Sequence, residues 1–335
     1  MRLFPAVVVI LILVLITGGE AESHDFSDVD FSKADSVALL YPDYSLNDLP
    51  GLSRKLTAPF HWEVEKFRAI FKWVCSNIRN DYDLYAANEK KRETLSGDEL
   101  KAWNKYFSTV AFKQLLKTHA TVCTGYAYLI RELSLHAGLS CEVVDGYGRN
   151  VVSNIGGDGI VNHSWNAVKL DGKWYLCDAT WASGGIDPQQ KLSIQKYNDT
   201  YFLSDPALFV HNHYPLEPKW TLMDSHPSLQ EFLNDPLIYY AAIRERVQFI
   251  EPSTFELTVS KGGELGFAFR GRAGLENGLT LRIGNKSTSV EATVLAISDT
   301  ESRYQFSHVF RFKGTYAVHV LLNEDYLYSY HLTVK

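Results

Sequence analysis

The chain has 335 residues, 46% of them apolar and 21% charged, a globular balance long enough for one large core or two ordinary domains. A net charge of −6 argues against nucleic acid or an anionic membrane as partner, as does the lack of basic clustering: the densest run, Lys90-Lys91-Arg92, lies between Glu89 and Glu93. Four cysteines in this length do not make a disulfide scaffold.

Arg2, the apolar stretch from Leu3 to Ile16 and the small residues Gly19 and Ala21 have the pattern of a secretory signal cleaved near Ala21. The stretch falls short of the ~20 residues of a membrane helix. The mature chain is therefore expected to be exported, periplasmic or secreted, with no membrane span. Residues 22–36, rich in Ser and Asp, are expected to form a tether. A helix is predicted from Trp62 to Ile78, where Val64, Phe67, Phe71, Val74 and Ile78 recur at helical spacing. The polar stretch from Asn88 to Asp98 reads as a loop, and Phe107 to Leu116 as a second helix. A third helix starts at Cys123, with Tyr126, Leu129, Ile130 and Leu133 on one stripe and Gly138 as its stop.

Strand character follows from Cys141 to Gly148. The glycine-bearing loop from Asn150 to Gly159 leads into a strand and not a helix, which excludes a phosphate-binding loop. Two strands, Asn162 to Leu170 and Lys173 to Trp181, are joined by Asp171-Gly172, a strong hairpin signal. A helix-like stretch runs from Leu229 to Val247. Beyond Glu251-Pro252, seven short alternating runs separated by Gly and Asn turns predict an immunoglobulin-like β-sandwich. The expected organisation is a signal peptide at 1–21, a main domain with an N-terminal extension at 22–250, and the sandwich at 251–335. Cys75, Cys141 and Cys177 fall on apolar positions and read as buried thiols; export is compatible with one disulfide among them.

Three residues carry the chemistry. Cys123 begins a helix, where unpaired N–H groups favour a thiolate. A two-residue turn at Asp171-Gly172 pairs Leu170 with Lys173 and sets His163 opposite Thr180, with Asp178 diagonally across on the same face. Diagonal neighbours lie roughly 7–8 Å apart, within reach of an imidazole–carboxylate hydrogen bond. A thiol nucleophile, a base and a group that orients the base are the requirements of acyl transfer.

The motifs around these residues are Val-Cys-Thr-Gly-Tyr-Ala at 122–127, His-Ser-Trp-Asn-Ala-Val at 163–168 and Trp-Tyr-Leu-Cys-Asp-Ala-Thr-Trp at 174–181. They closely resemble the transglutaminase-like superfamily. Tyr201-Phe202-Leu203-Ser204-Asp205-Pro206 and His213-Tyr214-Pro215 are similar to its kyphoscoliosis-peptidase branch. Thr121 stands where a glycine is frequent in the family. The resemblance implies an α+β, papain-like transglutaminase core in which Cys123 is the nucleophile, His163 the general base and then acid, and Asp178 the residue that orients His163. The implied function is a cysteine-dependent amide hydrolase or acyltransferase working through a thioester, with hydrolysis ahead of cross-linking. Its substrate would be a protein or peptide, cell-envelope peptide among them; no metal and no cofactor are expected.

The Cys123 backbone N–H is the first expected oxyanion donor, with Trp103, Gln114 and Asn166 as candidates for the second. Trp165 and Trp181 are candidate substrate-binding walls of the cleft. His211-Asn212-His213 reads as a structural loop segment and not as a metal site. The alternative function is a non-catalytic binding or scaffold protein built on the same core and sandwich.

Overall fold

The computed structural model describes residues 25–335 apart from 27, 152, 188 and 189 and the side chains of Tyr240 and Ile243. The expected signal peptide lies outside the described residues. The described residues before Phe31 belong to a different unit from residues 31–335. In the first, a turn closes with Val29 N–H donating to Phe26 O at 3.2 Å. All that follows concerns the second.

Helices α1 (Ser32–Leu39), α2 (Leu49–Thr57) and α3 (Glu63–Asn77) form a helical layer. The expected tether thus ends in a folded helix: Ala34, Val37 and Ala38 of α1 are buried, and Asp35 takes a bidentate ion pair from the buried Arg68 of α3 at 2.6 and 2.9 Å. The α3 stripe of Val64, Phe67, Phe71 and Val74 is buried, as its spacing predicts.

Where a loop was expected between Asn88 and Asp98, the chain forms α4 (Tyr82–Arg92) and the start of α5 (Gly97–Thr118). The α4 sequence has no apolar stripe and buries only Asn88, so periodicity does not reveal it. Its start is set by the Asp81 side chain, which accepts from Leu84 N at 2.9 Å.

Helix α6 (Cys123–His136) lies in the centre, with Tyr126, Ala127, Leu129, Ile130 and Leu133 buried. It stops at Gly138, whose φ of +79° suits glycine. A four-stranded antiparallel sheet packs against α6 in the order Lys173–Cys177, His163–Leu170, Ser140–Gly148, His213–Pro215. The hairpin turn has φ of +50° at Asp171 and +88° at Gly172, and pairing runs from Leu170 with Lys173 to Asn166 with Cys177. That is the register read from the turn. The second strand ends at Cys177, however, four residues short of Trp181. Asp178 caps a new helix, α7 (Ala179–Ser183), and His163 has no strand partner at Thr180.

The expected long helix from Leu229 to Val247 is three pieces: a helix Leu229–Asn234, a strand Leu237–Ile238 and a helix Tyr240–Arg244. Pro236 lacks the N–H that a continuous helix needs there. Downstream lie two sheets. One has the order Gln248–Glu251, Glu264–Arg272, Glu301–Val309, Thr293–Ala296. The other has the order Glu256–Val259, Asp325–Val334, Gly314–Leu322, Leu279–Ile283, Lys286–Ser289, with Leu237–Ile238 paired onto Asp325–Val334. Their inner faces share one core that includes Phe267, Phe269, Tyr304, Val318, Val320 and Tyr330. Leu237–Ile238 and Gln248–Glu251, which both begin before residue 251, join these sheets. All four cysteines are free thiols.

Candidate active site

Cys123 is the first residue of α6, and Val122 before it is extended. The first intrahelical bonds run from Gly125 and Tyr126 N to Val122 O, so the N–H groups of Cys123 and Thr124 precede them. Gly125 is required by this turn: a Cβ there would stand 2.0 Å from Thr121 Oγ1, and Thr121 is itself buried and donates to Ala111 O at 3.2 Å. Threonine at 121 is therefore accommodated by glycine at 125.

His163 opens its strand beside α6 and is 8% exposed. Its Nε2 meets Asp178 Oδ2 at 2.7 Å, which leaves Nδ1 for Cys123. The Cys123 thiol is also 4.0 Å from Asn162 O, the residue before His163. Gly148 on the neighbouring strand lets that strand approach the imidazole, since a Cβ there would lie 2.7 Å from His163 Cβ. Asp178 is 1% exposed. Its Oδ1 accepts from the backbone N–H of Thr180 at 2.7 Å and of Trp181 at 3.2 Å, so the turn into α7 holds the carboxylate in place.

Asp178 Oδ2 has a second donor that sequence reasoning missed. His213 Nε2 lies 3.0 Å away, fully buried, while its Nδ1 meets the Asn212 side-chain amide at 2.6 Å. The ring stacks on Phe209 at 3.9 Å and lies 4.5 Å from Trp181. Reading His211-Asn212-His213 as a loop was wrong for His213, which begins the strand His213–Pro215 beside Ser140–Gly148. The available signal was a histidine leading into Tyr214-Pro215, beside Asn212, which partners one ring nitrogen and leaves the other to a residue distant in the sequence.

His163, Asp178 and His213 place their ligand atoms within 4.8 Å of one another, the composition of a metal site. Both Nε2 atoms aim at the same carboxylate oxygen at hydrogen-bonding distance, and not at a common centre among the three. That is a hydrogen-bonded cluster and a poor fit to an ion.

The charges follow from these contacts. Burial favours the neutral form of His163, but the Asp178 carboxylate and the Cys123 thiolate outweigh it and raise its pKa to about 10. Burial pushes the Cys123 thiol up, yet the hydrogen bond and charge of His163 bring it below the ordinary value. Burial likewise opposes ionisation of Asp178, and the two histidines hold it well below the carboxylate range. His213 goes the other way, to about 4, because burial outweighs its bond to Asp178. Cys141 shows what burial does unaided by a histidine: it is pushed up to about 12, and Cys75 and Cys177 are raised as well. One thiol of four is set up to ionise.

Cys123 and His163 open onto a cleft of about 380 Å³, walled on one side by α4 and α5 and on the other by residues 161–164, Asp145 and Leu216. The expected substrate walls lie elsewhere. Trp165 is 1% exposed and packs edge-on to His213 at 5.2 Å, and Trp181 stands 5.3 Å from His163 on the side of His213. Both belong to the aromatic packing around the imidazoles. None of the three candidate second oxyanion donors lines the cleft. Trp103 Nε1 donates to Asn88 Oδ1 at 2.9 Å, and the Asn166 amide donates to Ala127 O and Glu142 O at 2.9 and 3.1 Å.

Residues 50–179, which hold Cys123, His163 and Asp178, match the sequence model of the Transglutaminase-like superfamily. The chain thus carries a transglutaminase-like domain, and its relatives place that domain on the kyphoscoliosis-peptidase branch. Human kyphoscoliosis peptidase is 37% identical over 179 residues, which cover 52% of this chain and 24% of that protein. Hillarin of Drosophila melanogaster is 25% identical over 236 residues, covering 67% and 26%. The Lim and transglutaminase domain protein ltd-1 of Caenorhabditis elegans is 24% identical over 254 residues, covering 72% and 32%. The chain therefore spans about a quarter to a third of the length of these curated relatives.

Proposed function

We propose that this protein is an exported, cysteine-dependent amide hydrolase or acyltransferase acting on protein or peptide, with hydrolysis ahead of cross-linking. The observation that carries the proposal is the buried 2.7 Å bond from His163 Nε2 to Asp178, which leaves Nδ1 to a helix-start thiol at the cleft. In the resting pair, Cys123 is a thiolate and His163 an imidazolium. The thiolate attacks the carbonyl, a C–S bond forms and the oxygen takes the carbonyl electron pair, next to the Cys123 N–H. The tetrahedral centre collapses, the C–N bond breaks, and His163 Nδ1–H protonates the leaving amine. The thioester is then attacked by water, or by an amine, with neutral His163 taking its proton; the C–S bond breaks, the acid or the new amide leaves, and the thiolate–imidazolium pair is restored. Asp178 keeps Nε2 protonated throughout and so fixes which nitrogen faces sulfur.

Export is part of this reading and rests on Arg2 followed by the apolar stretch Leu3 to Ile16. N-terminal sequencing of protein recovered outside the cytoplasm tests it; the expected start is near Glu22. The reading also takes the C-terminal sheets as an immunoglobulin-like sandwich that adds binding surface.

The test of the chemistry is alkylation by iodoacetamide near neutral pH with mass-spectrometric location of the product. Rapid modification confined to Cys123, slowed by His163→Ala, is expected. Equal, slow reaction of all four cysteines would remove the enzyme reading and leave the scaffold one. Incubation with a peptide library, with and without a primary amine, then separates hydrolysis from transfer by the products formed.

A further inference from the structure

The helical wall of the cleft has a composition the chemistry above does not use. Asn88 and Arg92 stand one turn apart on α4, and Lys101, Asn104, Lys105 and Ser108 on α5 are spaced i, i+3, i+4, i+7, so one face of each helix lines the cleft. Three of these groups are cationic. The opposite wall offers one carboxylate, Asp145, which already accepts from Ser164 Oγ at 2.6 Å. In a chain of net charge −6, this cationic excess is local.

Arg92 adds a separate observation. Its Nη2 is buried with no hydrogen-bond partner, and Arg92 makes no salt bridge among the described residues. Glu89 and the Cys123 sulfur act on it through space only. Leaving a buried guanidinium N–H without an acceptor is costly, and a carboxylate matches its fork with two parallel bonds. Lys105 is exposed, and among the described residues Lys101 pairs only with Asp98 at 3.1 Å, both ends largely in solvent. These two cations are available to a ligand as well.

We propose that the cleft selects an acyl substrate carrying a carboxylate close to the attacked carbonyl, an acidic peptide segment with Asp or Glu beside the reacting amide. Arg92 is its specificity-determining residue, and Lys101 and Lys105 supply the surrounding positive field. This rests on Cys123 being the nucleophile proposed above.

Iodoacetate and iodoacetamide test it, since they deliver the same carbon to sulfur and differ in carboxylate against amide. Rates at Cys123 are measured by mass spectrometry on the full chain and on Arg92→Ala, Arg92→Lys and Lys105→Gln, each ratio normalised to free cysteine. In the native chain the iodoacetate to iodoacetamide ratio is expected to exceed that of free cysteine. It should fall about tenfold in Arg92→Ala, the effect of one charge-assisted hydrogen bond, and less in Arg92→Lys, which keeps the charge and loses the fork. Lys105→Gln changes an exposed side chain and should lower the ratio about twofold, which keeps the test open if Arg92→Ala does not fold. Fast alkylation with one ratio throughout the series overturns carboxylate selection and leaves the thiolate reading intact. Slow alkylation by both reagents in the native chain removes both.

Discussion

On the sheet side of the cleft, Asp178 accepts from two ring nitrogens and two backbone N–H groups, and three aromatic residues enclose the imidazoles. On the helical side, Arg92 has an unpartnered buried nitrogen, while Lys101 and Lys105 reach solvent. The first wall supplies its own hydrogen-bond partners, so its geometry is complete before any substrate arrives. On the second wall one guanidinium nitrogen is without an acceptor among the described residues, which leaves it for a ligand. Changes on the sheet side should therefore damage the reaction and the fold together, and changes on the helical side should alter selectivity with the fold intact.

The largest effect is expected from Asp178→Asn. The substitution keeps the volume but removes the charge that raises His163, and it sets an amide against two ring nitrogens. Cys123 reactivity should drop by about 10⁴, as for loss of the orienting carboxylate in comparable triads. Breaking the buried His163–Asp178 pair should also cost about 3–5 kcal/mol of stability, read by denaturant unfolding. An unchanged midpoint would show that the sheet wall is less self-sufficient than its contacts imply.

The pH dependence sharpens the same contrast. Asp178 is depressed from 3.8, so its contribution to stability is present above that value and lost as pH falls toward the folded-state value. His163 is raised from 6.5 to about 10, so its contribution is complete below 6.5 and lost as pH rises through about 10. His213 and His211 are lowered from 6.5 to about 4, so their contributions are complete above 6.5 and are lost as pH falls toward 4. Thermal melting should therefore peak near pH 6.5 and fall on either side. In His163→Ala the cause that lowers the Cys123 pKa is gone and burial remains. The alkylation midpoint should then move above that of an ordinary thiol, with a loss of about 10²–10⁴ in rate at pH 7. A midpoint that stays low would assign the thiolate to the helix start alone.

His213 gives a smaller test. It acts through Asp178, so His213→Ala should slow Cys123 alkylation about tenfold, whereas His213→Gln, able to donate from its own Nε2 to Oδ2, should recover most of the loss. Equal loss in both variants would mean that the ring matters for packing against Phe209 and Trp181 and not for positioning.

These differences also explain what the sequence revealed. The hairpin register was legible because it depends on a local Asp-Gly turn and on strand alternation, and it brought His163 near Asp178. The detailed reason was not legible, because Asp178 reaches His163 from the cap of α7 after its strand has ended. Cys123 was legible from helical periodicity and a stop at Gly138. His213 was not: it lies 35 positions from Asp178, and no turn or period links the two. Helix α4 was hidden for a different reason. A helix that buries only Asn88 has no apolar stripe, and it is Asn88 that anchors it, through Trp103 of α5. The wall inferred to select substrate was thus the part least visible in the hydrophobic pattern.

The mildest expected effect belongs to Lys101→Ala. The Lys101–Asp98 pair is 82% and 98% exposed at its two ends, so solvent screens it, and its removal should change stability by no more than about 0.5 kcal/mol. Its charge still lines the cleft and so acts on a bound carboxylate through a salt-screened field. The iodoacetate to iodoacetamide ratio should fall by less than twofold at about 0.15 M salt, and the difference from the native chain should widen at about 0.01 M, where the Debye length reaches about 30 Å. A residue that alters charge selection without altering the fold is what separates the helical wall from the sheet wall. A large stability loss from Lys101→Ala would erase that separation, because the helical side would then be held by its own contacts as well.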